Sequence, residues 1–204
     1  MLTGFVTFEG IDGSGKTTVS RLVAEKLRSR GHSVFLTSEP TTGWLGDAVR
    51  RGVEEDVGPV TEAFLFLADR AAHIPGIRSH MGRGDLVLCD RYVDSTYAYQ
   101  GARLAGVLRD PLRFLQRTSD PWVLTPDVTI LLRIPAELGL ERIKDRRNKV
   151  RFEDPAFLRK VAANYDRLAK GRRFVVVDAT RPSEVVTDDA ISVIKRRLAR
   201  PRRP

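Results

Sequence analysis

The chain has 204 residues, of which 42% are hydrophobic and 30% charged, and its formal net charge is +9 at pH 7. This composition indicates one globular domain with a sizeable core and excludes a low-complexity chain. No apolar stretch is long enough to cross a bilayer, and the single cysteine, Cys89, cannot form an internal disulfide. Because the first predicted strand begins at residue 2, we expect no signal peptide and a cytoplasmic protein.

The positive charge has two interpretations. It is typical of proteins that bind nucleic acid, and equally of proteins whose substrates carry several phosphates. Part of the excess comes from a C-terminal cluster: Lys195, Arg196, Arg197, Arg200, Arg202 and Arg203. No aromatic residue is interleaved with these cations, which favours a solvated helix end over a nucleic-acid-binding arm. We therefore predict no nucleic-acid partner and no membrane partner.

Strands and helices are predicted to alternate along the chain. The apolar, β-prone runs that predict strands are 2–9, 33–38, 86–90, 128–134 and 173–178. The helices are predicted at 17–30, 45–52, 60–81, part of 93–105, 136–147, 155–170 and 183–199. Such alternation indicates an α/β fold with a five-stranded parallel sheet flanked by helices, in which ligands bind at the carboxyl ends of the strands.

A glycine-rich segment links the first predicted strand to the first helix. It matches the pattern G-x-x-x-x-G-K-[ST] through Gly10, Ile11, Asp12, Gly13, Ser14, Gly15, Lys16 and Thr17, and Thr18 follows. Such a loop turns backbone N–H groups toward a phosphate, and the helix N-terminus adds positive potential. In this position Lys16 would contact the β- and γ-phosphates, and the hydroxyl of Thr17 would ligate Mg²⁺. The segment predicts a three-layer P-loop NTPase fold, with Lys16 projecting into a solvated site.

Charged residues stand at the carboxyl ends of three further predicted strands. Glu39 follows the second strand, Asp90 and Arg91 stand at the end of the third, and Arg133 lies near the end of the fourth. A basic helix, 141–147, comes next. Because parallel strands end at one edge of the sheet, carboxylates and arginines converge there, as metal-assisted phosphoryl transfer requires.

Other segments distinguish among the phosphate-loop proteins. The chain has no Asn-Lys-x-Asp segment for guanine, and no apolar strand ending in Asp-Glu, which many water-activating ATPases carry. It carries in order the runs 5–18, 37–41 (Thr-Ser-Glu-Pro-Thr), 64–70 (Phe-Leu-Phe-Leu-Ala-Asp-Arg), 90–92 (Asp-Arg-Tyr) leading to residues 95–101, and 151–153 (Arg-Phe-Glu). This set closely resembles the thymidylate kinase family over nearly the whole chain.

The resemblance implies that ATP phosphorylates dTMP to dTDP, with Mg²⁺ as cofactor. Residues 10–18 would then bind ATP, Lys16 would be catalytic, and Thr17 and Asp90 would ligate the metal. Asp90 and Arg91 would both be catalytic, with Arg91 bridging the two substrates' phosphates. Because adjacent residues of an extended chain point to opposite sides, we do not expect these two to pair with each other.

The resemblance also implies a dTMP site. Its residues are Asp12, Glu39, Arg50, Phe66, Arg70, Arg91, Ser95, Thr96 and Tyr99. Phe66 would stack on thymine, Arg70 would hydrogen-bond the base, and Asp12 would lie near the sugar 3′-hydroxyl. Thr96 and Tyr99 would help to exclude a ribose 2′-hydroxyl.

Several of these residues have a second interpretation when the family is set aside. The apolar neighbours of Phe66 are typical of a core side chain, and Tyr99 is equally compatible with the core. Glu39 is compatible with a turn carboxylate, and Arg50 with a solvated surface arginine. His32, His73 and His80 show no metal-ligand spacing and are assigned no chemistry.

The basic segment 142–151 is predicted to be a short helical lid that is mobile without nucleotide and closes over ATP. Residues 11–14 include no arginine, although some relatives place a catalytic arginine there. Arg146, Arg147 and Arg151 are therefore the predicted catalytic residues of the lid. Ser38 also stands where many relatives have an arginine. Relatives are homodimers, so we expect a homodimer. The apolar helix 60–72 is one candidate interface, although burial within the monomer would explain its apolar character equally well.

Three other functions fit parts of the pattern. Another nucleoside monophosphate or deoxynucleoside kinase would share the phosphate loop but prefer a different acceptor. A nucleic-acid-stimulated ATPase would explain the basic charge, with affinity that falls steeply as salt rises. A nucleotide-binding module without catalysis would require the loss of Lys16, Asp90 or Arg91, and all three are present.

Overall fold

The computed structural model describes residues 1–144 and 154–199. Its strands are β1 (Gly4–Glu9), β2 (Val34–Ser38), β3 (Leu86–Asp90), β4 (Val128–Arg133) and β5 (Phe174–Asp178). Its helices are α1 (Lys16–Arg28), α2 (Trp44–Glu54), α3 (Pro59–Gly82), α4 (Val93–Arg103), α5 (Pro111–Ser119), α6 (Ala136–Ile143), α7 (Pro155–Leu168) and α8 (Ser183–Leu198). A short 3₁₀ turn, Leu104–Gly106, follows α4.

The sheet has the order β2-β3-β1-β4-β5, and every neighbouring pair is parallel. All residues of the central strands β1 and β3 are buried, as expected for strands covered on both faces. The predicted five-stranded parallel sheet flanked by helices is therefore confirmed.

Two core clusters lie on the two faces of the sheet. Val6 and Phe8 of β1 belong to the first core cluster, together with buried residues of α1 and α8. Phe5 belongs to the second core cluster, with Ala63 and Ile77 of α3. Because successive side chains of a strand point to opposite faces, this division follows from the strand geometry of β1.

The predicted elements differ from the observed ones mainly at their ends. Helix α5 was not predicted, because only Leu115 and Ser119 of its nine residues are buried and its apolar periodicity is short. Its start was nevertheless encoded, since Asp110 accepts a hydrogen bond from the backbone N–H of Arg113 at 3.2 Å and Pro111 opens the helix. The predicted helix 136–147 is observed as α6, which ends at Ile143, and its last residues lie outside the described ranges.

Within the residues that the structure describes, no helix combines the length and the apolar character needed to span a membrane.

Candidate active site

The candidate site lies where β1, β2 and β3 end. In the sheet register Phe8 of β1 and Ser38 of β2 both stand opposite Asp90 of β3. The residues that follow these positions therefore emerge at one edge of the sheet. They are the phosphate loop after β1, Glu39 after β2, and Arg91 after β3.

The phosphate loop is shaped by glycines that no other residue could replace without strain. Gly13 and Gly15 have φ angles of 80° and 88°, in the left-handed region that favours glycine. A Cβ atom on Gly13 would lie 2.1 Å from the carbonyl oxygen of Gly139 in α6. The loop is thus packed directly against α6, and Gly15 precedes the first residue of α1.

Lys16 does not project into solvent, which corrects the sequence prediction. Its side chain folds back over the loop, so that Nζ donates to the carbonyl oxygen of Ile11 at 2.8 Å and to Oγ of Ser14 at 3.4 Å. Burial, with the nearby charge of Arg91, lowers the pKa of Lys16 to about 8, against the opposing effect of the neighbouring carboxylates. The physical reason is that the loop itself supplies acceptors for the ammonium group.

Thr17 and Asp90 form a pair suited to a divalent cation. The Thr17 hydroxyl donates to Oδ2 of Asp90 at 2.5 Å. The other carboxylate oxygen, Oδ1, is buried and has no hydrogen-bond partner among the described residues. Hydroxyl and carboxylate oxygens are the hard ligands that Mg²⁺ prefers, and Mg²⁺ commonly uses only one or two of them beside phosphates and water. The pair fits the predicted metal site, although the described ranges contain no cluster of three or more His, Cys, Asp or Glu that could bind a metal.

Arg91 and Asp12 form an ion pair beside Tyr99. Nη2 of Arg91 donates to Oδ1 of Asp12, and the Tyr99 hydroxyl donates to Oδ2 at 3.0 Å. Burial favours a higher pKa for Asp12, but the charges of Arg91 and Lys16 and the bond from Tyr99 hold this pKa below its ordinary value. Asp90 and Arg91 therefore point to different partners, as predicted.

The backbone at Arg91 is unusual, with a φ angle of 66°. A left-handed conformation costs a non-glycine residue on the order of 1 kcal/mol. Backbone hydrogen bonds hold this turn, because Arg91 N donates to the Phe8 carbonyl at 3.0 Å and Tyr92 N donates to Oε1 of Glu9 at 2.8 Å. At this strained turn the side chains of Asp90 and Arg91 reach different partners, Thr17 and Asp12.

Glu9 is a functional candidate that the sequence analysis did not assign. Its fully buried carboxylate accepts from the hydroxyl of Ser95 at 2.6 Å and from the hydroxyl of Tyr165 at 2.9 Å, besides the N–H of Tyr92. Burial and the negative charge of Asp94 raise the pKa of Glu9 to about 7. The available signal was a carboxylate at the carboxyl end of the mainly apolar first strand, next to the phosphate loop.

A second buried cluster joins the end of β2 to α3. Nη2 of Arg70 donates to Oε2 of Glu39 at 2.6 Å, and Nδ1 of His73 lies 3.0 Å from Oε1. The guanidinium of Arg70 also lies 5.2 Å from the centre of the Tyr92 ring. Nε and Nη1 of Arg70 are buried without a hydrogen-bond partner in the described part of the chain. Two charged donors are therefore present for an acceptor outside the protein.

His73 belongs to this cluster, although the sequence analysis assigned it no chemistry. It follows Arg70 by three positions on α3, so the two side chains share a face of the helix. Phe66 precedes Arg70 by four positions and lies on the same face. Phe66 is half-buried and belongs to neither core cluster of the described residues, which argues against the core interpretation.

The remaining residues of the predicted dTMP site differ in how fully their polar atoms are paired. Thr96 is buried, and its hydroxyl has no partner among the residues described. Ser95 is engaged by Glu9, and Tyr99 combines a ring in the first core cluster with a hydroxyl on Asp12. Arg50 is half-exposed and donates to the Thr41 carbonyl at 2.8 Å, which places it beside the loop that follows Glu39.

The three predicted lid arginines, Arg146, Arg147 and Arg151, lie outside the described residues. Arg142, at the start of the same basic segment, is described. Its Nη1 donates to the Ala179 carbonyl at 2.9 Å, which links α6 to the turn after β5.

Comparison with known proteins gives a consistent result. The family model described as "Thymidylate kinase" matches residues 8–190. A protein named "Probable thymidylate kinase" from Methanoculleus marisnigri is 45% identical, with 89% of each chain covered. A protein named "Thymidylate kinase" from Thermomicrobium roseum is 44% identical over 99% of each chain, and one named "Probable thymidylate kinase" from Natronomonas pharaonis is 39% identical over 96% of this chain and 99% of its own. Sequence motifs, fold and comparisons agree, and the chain belongs to the thymidylate kinase family.

Proposed function

We propose that this protein transfers the γ-phosphate of ATP to dTMP, forming dTDP and ADP. Family membership supports the reaction. The observation that carries the acceptor assignment is the buried Arg70, whose Nε and Nη1 lack partners in the described chain. Its partner Glu39 follows β2, at the sheet edge where the phosphate loop begins. A buried charged donor without a partner is costly, so a ligand acceptor at this position would stabilise it.

The donor side uses the phosphate loop. Backbone N–H groups of residues 10–18 bind the ATP phosphates, and Lys16 exchanges its contacts within the loop for the phosphate oxygens. Thr17 and Asp90 hold Mg²⁺, which offsets phosphate charge when bound. Lys16 and Arg91 stabilise the charge that develops on the transferred group, since preorganised cations at that position lower the barrier.

The acceptor side uses α3, α4 and the end of β2. Phe66 stacks on the thymine ring, and Arg70 donates to the C4 carbonyl of the base. Thymine and uracil have this carbonyl, whereas cytosine has an amino group in its place. The pair of Asp12 and Tyr99 lies toward the sugar, and Arg50 together with Arg91 binds the acceptor phosphate. Glu39 acts by orienting Arg70, and Ser95 and Thr96 complete the wall of the site.

Further positive charge is assigned to Arg146, Arg147 and Arg151. The loop positions Ile11 to Ser14 provide no arginine, and closing an arginine over a transferring phosphate contributes on the order of 10³-fold in other phosphoryl-transfer enzymes. Turnover of the three single alanine variants tests this assignment. Wild-type turnover in all three would leave Arg91 as the arginine that stabilises the transition state.

We further propose a cytoplasmic homodimer. The reduced, buried Cys89 is compatible with the cytoplasm. Phe64 and Val60 of α3 are 49% and 42% exposed, and Phe64 contacts Phe114 of α5, so an apolar patch is present for a second subunit. The mass in solution, measured by light scattering, tests the dimer.

An acceptor panel in a coupled ADP-release assay tests the function itself. We expect dTMP to be the best acceptor, with UMP and CMP poor. Thymidine should not be used, because without its phosphate the acceptor-site arginines would lose a charged partner. Comparable turnover of thymidine and dTMP would reject the proposal, and ATP hydrolysis that depends on DNA or RNA would favour the nucleic-acid-stimulated ATPase.

A further inference from the structure

Among the described residues, the hydrogen bonds of the His73 ring go to Thr37 and Glu39, and none goes to a residue assigned to the phosphates. We propose that His73 is a positioning residue for dTMP: by holding one oxygen of Glu39, it keeps two donors of Arg70 free for the thymine base. This inference rests on the proposed role of Arg70 in binding the base.

The contacts form a chain of four side chains from β2 to α3. Thr37 Oγ1 lies 2.8 Å from Nε2 of His73, Nδ1 of His73 lies 3.0 Å from Oε1 of Glu39, and Oε2 of Glu39 accepts from Arg70. The side chains of Glu39, Arg70 and His73 are only 3%, 1% and 9% exposed. A carboxylate can only accept, so Nδ1 carries a proton, and in the neutral ring Nε2 accepts from the Thr37 hydroxyl.

The geometry of the Glu39–Arg70 pair explains why the bond from His73 affects Arg70. An arginine and a carboxylate commonly form two parallel hydrogen bonds. Here the pair makes one, through Nη2, while Nε and Nη1 of Arg70 have no partner in the described chain. The second oxygen of Glu39 is instead bonded to His73.

Loss of the imidazole would leave Oε1 of Glu39 buried without the bond from His73. A buried carboxylate oxygen without a donor is unfavourable. The nearest remedy is rotation of the carboxylate toward a second donor of Arg70, which forms the usual two-bond pair. That pair would stabilise the protein but would occupy a donor that the base needs. A purely structural histidine would give the opposite result, because its loss would destabilise the fold and leave the free donors of Arg70 unchanged.

The experiment compares three substitutions at residue 73. Asn places an amide nitrogen near the position of Nδ1, and Gln places one near Nε2. We expect H73A and H73Q to raise the KM and the Kd for dTMP about tenfold, the scale of one buried hydrogen bond to a charged group. H73N should restore most of the affinity. The kcat at saturating dTMP and the KM for ATP should stay within about twofold of wild type, because the base does not change during transfer.

A second variant tests this chain of four side chains without altering the histidine. T37V removes the hydroxyl that holds the ring from β2, and we expect a smaller rise in the KM for dTMP in the same direction. Wild-type dTMP affinity in both H73A and T37V would overturn the inference. So would an equal loss of affinity for both substrates together with a fall in Tm that H73N fails to restore.

R70A separates this inference from the proposed function. If R70A weakens dTMP binding and H73A does not, His73 has no positioning role and the base assignment stands. If R70A leaves dTMP binding unchanged, the base assignment fails and the inference fails with it. If both variants weaken binding and H73N restores it, both are supported.

Discussion

The hydroxyl of Thr17 donates a hydrogen bond to Oδ2 of Asp90 at 2.5 Å, which joins the first turn of α1 to the end of β3. These residues are separated by 73 positions in the sequence. The bond leaves Oδ1 of Asp90 buried and without a partner in the described part of the chain. This one contact thus brings the two proposed metal ligands together and leaves Oδ1 of Asp90 available to bind a cation.

Replacing Asp90 by Asn tests the proposed metal site. Asn preserves the shape of the side chain but removes its negative charge, so we expect turnover to fall by at least about 10²-fold and the Mg²⁺ concentration for half-maximal rate to rise. Titration of the rate with Mg²⁺ measures both. D85N alters a carboxylate just before the same strand and should leave the Mg²⁺ dependence unchanged. An unchanged Mg²⁺ requirement in D90N would remove Asp90 from the metal site.

Replacing Lys16 by Ala should nearly abolish phosphoryl transfer, by about 10²-fold or more, because the lysine acts on charge that develops at the donor phosphates. The affinity for dTMP should change little. The Tm should also change little, since the variant removes the cost of a buried ammonium together with its two loop hydrogen bonds. K26A, which alters a half-exposed lysine of the same helix that pairs with Asp188, is the matched control. Substantial residual turnover in K16A would mean that the loop does not bind ATP as proposed.

Replacing Arg70 by Ala should raise the KM for dTMP more than it lowers kcat, because the base is bound equally in the ground and transition states. The lost interaction is worth about 1–3 kcal/mol for a buried charged hydrogen bond. R78A removes an exposed arginine of α3 and should behave as wild type. Steady-state kinetics with dTMP varied at saturating ATP gives both constants. An unchanged KM would make the Glu39–Arg70 pair purely structural.

Glu9 should make the stability of the protein fall as pH rises. Its pKa is raised by burial from 4.5 to about 7, so the folded protein binds a proton more tightly than the unfolded chain does. The stabilisation is therefore fully present below about pH 4.5 and is lost as pH rises through about 7. E9Q keeps an oxygen acceptor for Tyr92 but cannot ionise. The difference in Tm between E9Q and wild type should therefore grow in favour of E9Q between pH 5 and pH 8. A difference that does not vary with pH would show that Glu9 does not titrate in this range.

The sequence predicted elements well where local pattern and burial agree. Both ends of strand β3 were predicted correctly, because its buried apolar run is followed directly by the charged residue Asp90. The conformation of Lys16 was predicted wrongly, because it depends on how the loop carbonyl of Ile11 closes over the side chain. His73 was missed because its partner Glu39 lies 34 positions away, and only the packing of α3 beside β2 brings them together. The pairing of Arg91 with Asp12 was equally hidden, since it requires a left-handed backbone that no local pattern indicated.

The contact between Gly13 and Gly139 restricts how this enzyme could be rebuilt. A Cβ on Gly13 would meet the Gly139 carbonyl oxygen at 2.1 Å, and a Cβ on Gly139 would meet the Asp12 carbonyl oxygen at 2.5 Å, so both positions admit only a hydrogen atom. The phosphate loop and α6 are therefore packed too closely to change independently, although 126 positions separate these two glycines in the sequence. A chimaera that imports the basic segment 142–151 from a relative should inherit α6 and the phosphate loop from the same parent. Exchange of the segment with α6 alone would place a foreign helix against a loop that has no room to adjust.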